Sequence, residues 1–337
     1  MRFFRRIGFT KRRFIVLLAG ISLAPATVTA LAVWAGLEVA SPQRRPLQDY
    51  HREFLTHPQA HGLRIVEFAL SDQTPCLLCE PAGALGKRGS AIRGQLREKG
   101  IDLVDFGEIR GTLVLLHGRR GRKEDYLPIA ERLCASSFRC LIPDLPGHGD
   151  HPAAIATYGI READLPERLL AEASERFSFM EQPVGLLGMS MGGSVAVHTA
   201  GREDSPWKAL VVISSFDMLA TTMDLNAQAR FGSLLGKLIS GGGSYVYSKR
   251  AGLPLESIQP TDYCSQIRIP TLIAHGTGDS VISIDSGRRL YASLPEDTVK
   301  RWLEIPGADH HNVLVTDFPV YAEIAAWMLE HVVSPGN

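Results

Sequence analysis

The sequence predicts an α/β fold: a mostly parallel sheet with helices on both faces. Two observations carry this. From about residue 112 onward, short apolar runs of strand length alternate with longer stretches of helical period, the pattern of repeated strand–helix–strand units. The short runs are apolar throughout, as strands covered on both faces must be. Strands are expected near 112–116, 139–143, 184–188, 209–214, 271–275 and 299–304, and helices near 124–135, 162–178, 191–202, 285–294 and 317–332.

In chain order, the first thirteen residues, MRFFRRIGFTKRR, hold six arginines or lysines and no acid, and 14–37 is almost wholly apolar or small. At about 1.5 Å per residue that run is long enough to cross a hydrocarbon core of about 30 Å. The expectation is a basic cytoplasmic segment over 1–13 and a transmembrane signal-anchor helix over 14–37, kinked at Pro25, with the rest of the chain exported. The alternative is a signal peptide cleaved after the small residues Val28-Thr29-Ala30, leaving a secreted or periplasmic protein. The pair Arg12-Arg13 fits twin-arginine export poorly. Residues 38–60 read as a linker, and Pro42, Arg44, Arg45 and Pro46 suit an exposed tether. A chain starting near Gln48 is therefore expected to fold and work alone.

Residues 61–337 suit one large domain. His61 to Glu80 alternates enough to form the first sheet strands. Pro81 to Phe106 is longer than a hairpin needs, and its basic middle, GKRGSAIRGQLREKG, reads as one short surface helix. Five cysteines give an odd count. Cys76 and Cys79 lack the second pair that a zinc site needs and would face opposite sides of a strand, so they read as structural. Cys134 and Cys140 flank a short turn and read as two buried thiols, with a disulfide as the alternative in an exported domain. Hydrophobic content of 45% and charged content of 21% are ordinary for a globular protein, and the net charge of +0 gives no nucleic-acid signal.

The chemistry is concentrated in LLGMSMGGSVAVHTA, Leu186 to Ala200. A short apolar strand leads into Gly188-Met189-Ser190-Met191-Gly192 and then a helix, the strand–turn–helix that holds a serine hydroxyl clear of the backbone. A serine needs a base, and the base needs a group that orients it. Asp279 follows the apolar strand in IPTLIAHGTGDSVI, and His310 follows that in RWLEIPGADHHNVL. Both lie at C-terminal strand ends, where open α/β sheets build their sites. Gly-x-x-His spacing from Gly307 selects His310; the His-Asn pair selects His311. Asp217, after ALVVISS, is a competing acid. Two amides should hold an oxyanion: that of Met191, after the serine, and that of Arg119, after His117-Gly118. Four cations stand in Arg119-Arg120-Gly121-Arg122-Lys123; they read as a solvated loop pointing away from the site, and the alternative is that Arg119 or Arg122 meets an anionic group of the substrate. The segment from Asp217 to Ile267 is too long for a simple crossover and reads as a cap over the site, in which SGGGSYVYSKR looks mobile.

Together LLHG, DLPGHG, GMSMGG, AHGTGD and PGADHH resemble the α/β-hydrolase superfamily, over roughly Val104 to the C-terminus. Within it the chain resembles membrane-anchored serine hydrolases of the monoacylglycerol-lipase and Bem46-like groups, which include relatives of the serine aminopeptidases. The resemblance implies the α/β-hydrolase fold with a cap of about 217–267 inserted after the sixth strand. It implies a Ser190-His310-Asp279 triad that cleaves carboxylic esters, or thioesters, through an acyl-enzyme, with no metal or organic cofactor. A small-molecule or lipid ester is the expected substrate, and the membrane is the expected partner. The alternatives are a peptidase, which needs cap acids such as Asp217, Asp224, Glu256 or Asp262 to hold an α-amino group, and a non-catalytic binding module, which usually lacks a triad member.

Overall fold

The computed structural model describes residues 11–316 and 318–333. Eight strands form one sheet: β1 (Leu63–Ala69), β2 (Pro75–Pro81), β3 (Gly111–Leu116), β4 (Phe138–Pro143), β5 (Val184–Met189), β6 (Ala209–Ile213), β7 (Thr271–Gly276) and β8 (Lys300–Ile305). Their order is β1-β2-β4-β3-β5-β6-β7-β8. The β1–β2 and β2–β4 pairs are antiparallel and the remaining pairs are parallel. Strands β3, β5, β6 and β7 run through the middle, and nearly every residue in them is buried. This is why they show as uninterrupted apolar runs.

Alternate residues of each strand feed two cores. Val114 and Leu116 point to one, with α5 (Leu165–Phe177), α6 (Met191–Ala200) and α10 (Ile284–Ser293). Leu113 and Leu115 point to the other, with α3 (Lys87–Glu98), α4 (Leu127–Ala135) and α11 (Val320–His331). The basic insertion between β2 and β3 is thus the helix α3. It is tied down where Arg88 Nη1 donates to Glu131 (3.1 Å) and Arg93 donates to the carbonyls of Ala135 and Val104 (3.1 and 2.7 Å). All five cysteines are free and buried; Cys134 and Cys140 have their sulfurs 3.9 Å apart, hydrogen-bonded and not bridged.

Two expectations about the first sixty residues are corrected. A single helix, α1 (Lys11–Ala40), runs straight through the expected end of the anchor at residue 37. The linker is no free tether. Arg44 donates to the carbonyls of Gly149 and Ala153 (3.2 and 3.0 Å), Ser41 Oγ to that of Ala154 (2.8 Å), and 49–56 form α2 (Asp49–Thr56). Among the described residues no helix is long and apolar enough to cross a membrane. The basic run over 1–10 lies outside the described residues, as do the side chains of the expected span over 14–24.

The cap after β6 is a helical hairpin, α7 (Leu219–Phe231) and α8 (Ser233–Ala251), turned at Gly232 and followed by the single turn α9 (Thr261–Cys264). The Gly241–Gly243 run, expected to be mobile, lies inside α8. The reason is the neighbour. Helix α1 presents the buried small residues Ala32, Gly36 and Ala40 at a spacing of four, which places them on one face. A Cβ on Gly242 would come within 2.7 Å of the Ala32 Cβ, and one on Gly36 would overlap the Gly243 carbonyl. Glycines that weaken an isolated helix here allow two helices to touch backbone to backbone.

Candidate active site

Strand β5 delivers Ser190 at its C-terminal end with φ 53° and ψ −118°, a conformation costing a non-glycine residue about 1–3 kcal/mol. Three hydrogen bonds impose it. Ser190 N donates to the Ile213 carbonyl (2.8 Å), and the Ser190 carbonyl accepts from Ser215 Oγ (2.8 Å) and Ser194 N (3.1 Å). Side chains are excluded on both sides: a Cβ on Gly188 would overlap the Gly192 carbonyl, and one on Gly192 the Leu116 carbonyl.

The loop after β8 brings His310 to the serine. Asp309 Oδ1 accepts from the amides of His311 (2.7 Å) and Asn312 (2.9 Å), while Asn312 Oδ1 accepts from Asp309 N (2.8 Å). This closed turn aims His310. Its Nδ1 donates to Asp279 Oδ2 at 2.8 Å, and its Nε2 accepts from Ser190 Oγ at 3.1 Å. His310, and not His311, makes both bonds; the His311 ring lies edge-on to it, 5.8 Å between centroids. The Asp279 side chain is buried at the end of β7, and its Oδ1 accepts from the amides of Val281 (3.0 Å) and Ile282 (2.8 Å). Burial alone would raise its pKa; the hydrogen bond from His310, that imidazole's charge and the Ile282 amide outweigh burial and hold the carboxyl below its ordinary value. The competing acid, Asp217, is paired to Arg289.

Met191 opens α6, so its amide belongs to the free first turn. On the other side Gly118 lies against the serine, its Cβ position 3.5 Å from Ser190 Cβ. His117 fixes this loop: its Nδ1–H donates to the Gly118 carbonyl (2.9 Å) and its Nε2 accepts from Leu145 N (3.0 Å). Burial pushes the His117 pKa down, against the pull of Asp144, which keeps the neutral form these two bonds require. The turn closes through Gly121 N to the Gly118 carbonyl (3.0 Å), with Arg120 left-handed at φ 62°. Arg119 and Arg120 both reach across to Glu38 of α1, at 3.1 and 2.7 Å. Nothing in the sequence pattern singles out Glu38, eighty residues away.

The role expected of Arg122 is corrected. Its side chain is buried and donates to Glu124 (2.5 Å), Asp150 (2.7 Å) and the Arg45 carbonyl (3.0 Å). Lys123 beside it pairs with Asp144 (3.1 Å) and Glu124 (2.7 Å). Desolvation would lower the pKa of Lys123 and raise that of Glu124, but the opposite charges prevail and shift both the other way. These cations hold the loop from inside. Asp144, from DLPGHG, also accepts from the amides of Lys123 (2.8 Å) and Asp150 (2.9 Å), and Gly149 has room for no side chain against its carboxylate. The Arg119 side chain is engaged with Glu38 and is not a free cation over the site. Among the cap acids, Asp224 accepts from Gln228 and Ser240 (2.6 Å each), and Glu256 from Ser244 (2.5 Å).

Ser190 and His310 open into a cavity of about 1440 Å³, lined by apolar residues such as Leu31, Met223 and Ala227 and by polar ones such as Asn226, Arg45 and Arg88.

The family model described as the alpha/beta hydrolase family matches residues 113–329. A pimeloyl-[acyl-carrier protein] methyl ester esterase of Chromobacterium violaceum is 26% identical over 234 residues, 59% of this chain and 86% of that protein. The Pyrococcus furiosus esterase Pf2001 superposes with a TM-score of 0.60 at 17% identity, covering 87% of this chain and 99% of its own. A bacterial membrane phospholipase A superposes at 0.52 and 17%, covering 94% and 98%. With the strand order, the strained serine at the end of β5 and the matched segment all agreeing, this chain belongs to the alpha/beta hydrolase family.

Proposed function

We propose that the protein is a serine hydrolase that cleaves carboxylic esters through an acyl-enzyme. The observation that carries this reading is the unbroken chain from Ser190 Oγ to His310 Nε2 and from His310 Nδ1 to Asp279, at 3.1 and 2.8 Å. In that geometry Ser190 Oγ attacks the ester carbonyl carbon as its proton passes to His310 Nε2. Asp279 keeps Nδ1 protonated and stabilises the imidazolium. The carbonyl oxygen, now anionic, accepts from the amides of Met191 and Arg119. Collapse breaks the carbonyl–alkoxy bond, and His310 returns the proton to the departing alcohol. Water then gives its proton to His310 and attacks the acyl-serine, releasing the acid and restoring Ser190. A thioester would follow the same steps with a thiol leaving. The ester assignment is supported by the two esterases among the similar proteins. The narrower likeness to monoacylglycerol-lipase and Bem46-like enzymes rests on the sequence motifs.

The charge bias of the first thirteen residues and the apolar residues that follow support a membrane anchor with a cytoplasmic N-terminus and an exported catalytic domain. The anchor is drawn from the part of the run before Leu31, since Leu31, Ala32, Ala35 and Gly36 line the cavity or pack on α8. A fluorophosphonate probe should label Ser190. Ser190→Ala should lose labelling together with turnover of p-nitrophenyl butyrate; labelling that persists in this variant overturns the assignment.

A further inference from the structure

The insertion between β2 and β3 has no part in the triad, yet its helix faces the same cavity. Arg88, Ala91 and Gln95 of α3 line it, at the three- and four-residue spacing of one helix face. Arg132 of the neighbouring α4 and Tyr321 of α11 line it as well. Helix α4 leads back to the serine. Tyr126, just before that helix, donates its hydroxyl to the Leu116 carbonyl at the end of β3, against which Gly192 of the serine turn is packed. The helical rise from Tyr126 to Arg132 is about 9 Å, so an anion held at Arg132 lies roughly 10–15 Å from Ser190.

The wall at this place carries more positive charge than it neutralises. Among the described residues, the carboxylates lining the cavity are Glu38 and Asp125. Glu38 is taken by Arg119 and Arg120, and Asp125 by Tyr50, His51 and the Arg122 amide. Arg88 pairs at 3.1 Å with Glu131, whose carboxylate is fully buried. Arg132 has no carboxylate partner among the described residues. Its Nη1 donates to the Pro128 carbonyl (2.7 Å), and its guanidinium lies over the Tyr321 ring, 4.2 Å from the centroid. Burial, with the neighbouring charge of Arg88 added, holds its pKa below the ordinary value, as befits a cation short of counter-charge. With its face on the ring, the guanidinium keeps its N–H edge for an acceptor in its own plane.

We propose that Arg132 and Arg88, with Gln95, form a subsite for an anionic group, a carboxylate or a phosphate, that the ester carries several bonds away from its scissile carbonyl. This rests on the serine-esterase reading above. A planar fork of donors takes two oxygens of such a group side by side, and the anion supplies the counter-charge that the protein leaves out. The subsite is distinct from the run Arg119 to Lys123, whose cations are paired within the protein. It selects among esters and takes no part in bond cleavage.

The test uses the full-length protein and two pairs of substrates. One pair places the anion on the acyl half: the mono-p-nitrophenyl ester of suberic acid against p-nitrophenyl octanoate. The other places it on the alcohol half: 6-phosphohexyl butyrate against hexyl butyrate, with released butyrate measured. The wild type should favour the anionic member of at least one pair, and the pair that responds identifies the half that carries the anion. Arg132→Gln should lower that anionic-to-neutral ratio of kcat/KM about ten- to a hundredfold, the worth of a charge-assisted forked contact, mainly by raising KM for the anionic ester. A wild type that favours neither anionic ester, or a ratio that stays within about twofold in Arg132→Gln, overturns the subsite. If Arg132→Gln fails to fold, Arg132→Lys, which keeps the charge but not the fork, is judged by the same ratio and should lower it about threefold or more. Failure of the serine reading is separate: it shows as p-nitrophenyl butyrate turnover surviving Ser190→Ala.

Discussion

Glu38 lies on the N-terminal helix, yet it holds the turn that carries one of the two proposed oxyanion donors, and its replacement by glutamine measures how far that helix takes part in turnover. Its carboxylate is 15% exposed and the two guanidinium groups are 38% and 43% exposed. Water and salt weaken such pairs, so each contributes at most about 1 kcal/mol. What they restrain is a turn in which Arg120 adopts a left-handed backbone at a cost of about 1–2 kcal/mol. Loss of both pairs thus releases about 1–2 kcal/mol of restraint on the Arg119 amide, a five- to thirtyfold change at about 1.4 kcal/mol per decade. Complete loss of an oxyanion donor, about a hundred- to a thousandfold, sets the ceiling. Glu38→Gln should therefore lower kcat on p-nitrophenyl butyrate by about tenfold with KM little changed, because the donor acts on charge that develops only in the transition state. Inhibition by a trifluoromethyl ketone, which forms the oxyanion, should weaken in parallel, and Glu38→Asp should recover part of both. A rise in KM at constant kcat, or a kcat within about twofold of wild type, refutes the reasoning and leaves Glu38 a surface contact.

Three further outcomes follow from the geometry. His310→Ala should lower kcat by about four orders of magnitude or more, and His311→Ala far less; equal losses would mean that the loop shifts to present either ring. Gly36→Val should push α1 away from Gly243 and Val246, costing about 1–3 kcal/mol of overpacking and appearing as a lowered Tm with lowered activity; an unchanged Tm would show that α1 docks loosely. Because the Asp279 pKa is depressed below 3.8 in the folded protein, its ionised form stabilises the fold above that pH, and the contribution is lost as pH falls through the depressed value. Asp279→Asn removes this dependence, so the stability difference between wild type and variant should stay level above about pH 5 and narrow in stronger acid; a difference independent of pH down to 2 excludes the linkage.

The parts of this structure that were legible in the sequence are those decided locally. Leu186 to Leu187, or Leu113 to Leu116, must be buried on both faces wherever they sit, so their strands show without knowledge of any neighbour. The turn at Ser190 needs its glycines for contacts only a few residues away in sequence or on the adjacent strand, and the loop at Asp309 closes on itself. What was misread depends on distant partners. The cations at Arg122 and Lys123 resemble a solvated or substrate-facing patch until Asp144 and Asp150, some twenty to thirty residues on, are placed beside them. Gly241–Gly243 suggests a mobile break until Ala32 and Gly36, two hundred residues earlier, are seen to need the space. The acidic Glu38 sits at the end of an apolar helix where no motif marks it.

The eight residues between α1 and α2 bear on how the enzyme would be released from the membrane anchor proposed above. Membrane proteins freed by proteolysis are cut in an exposed stalk, which must open locally to enter a protease. Here the stretch after Ala40 is stitched to the 149–156 loop through Ser41 and Arg44, and the Ala40 carbonyl itself accepts from Ala156 N at 2.9 Å. A cut placed there would remove Leu31, Ala35 and Glu38 from the wall of the cavity, so the fragment set free would lack part of its own binding site. Shedding and inactivation would be one event.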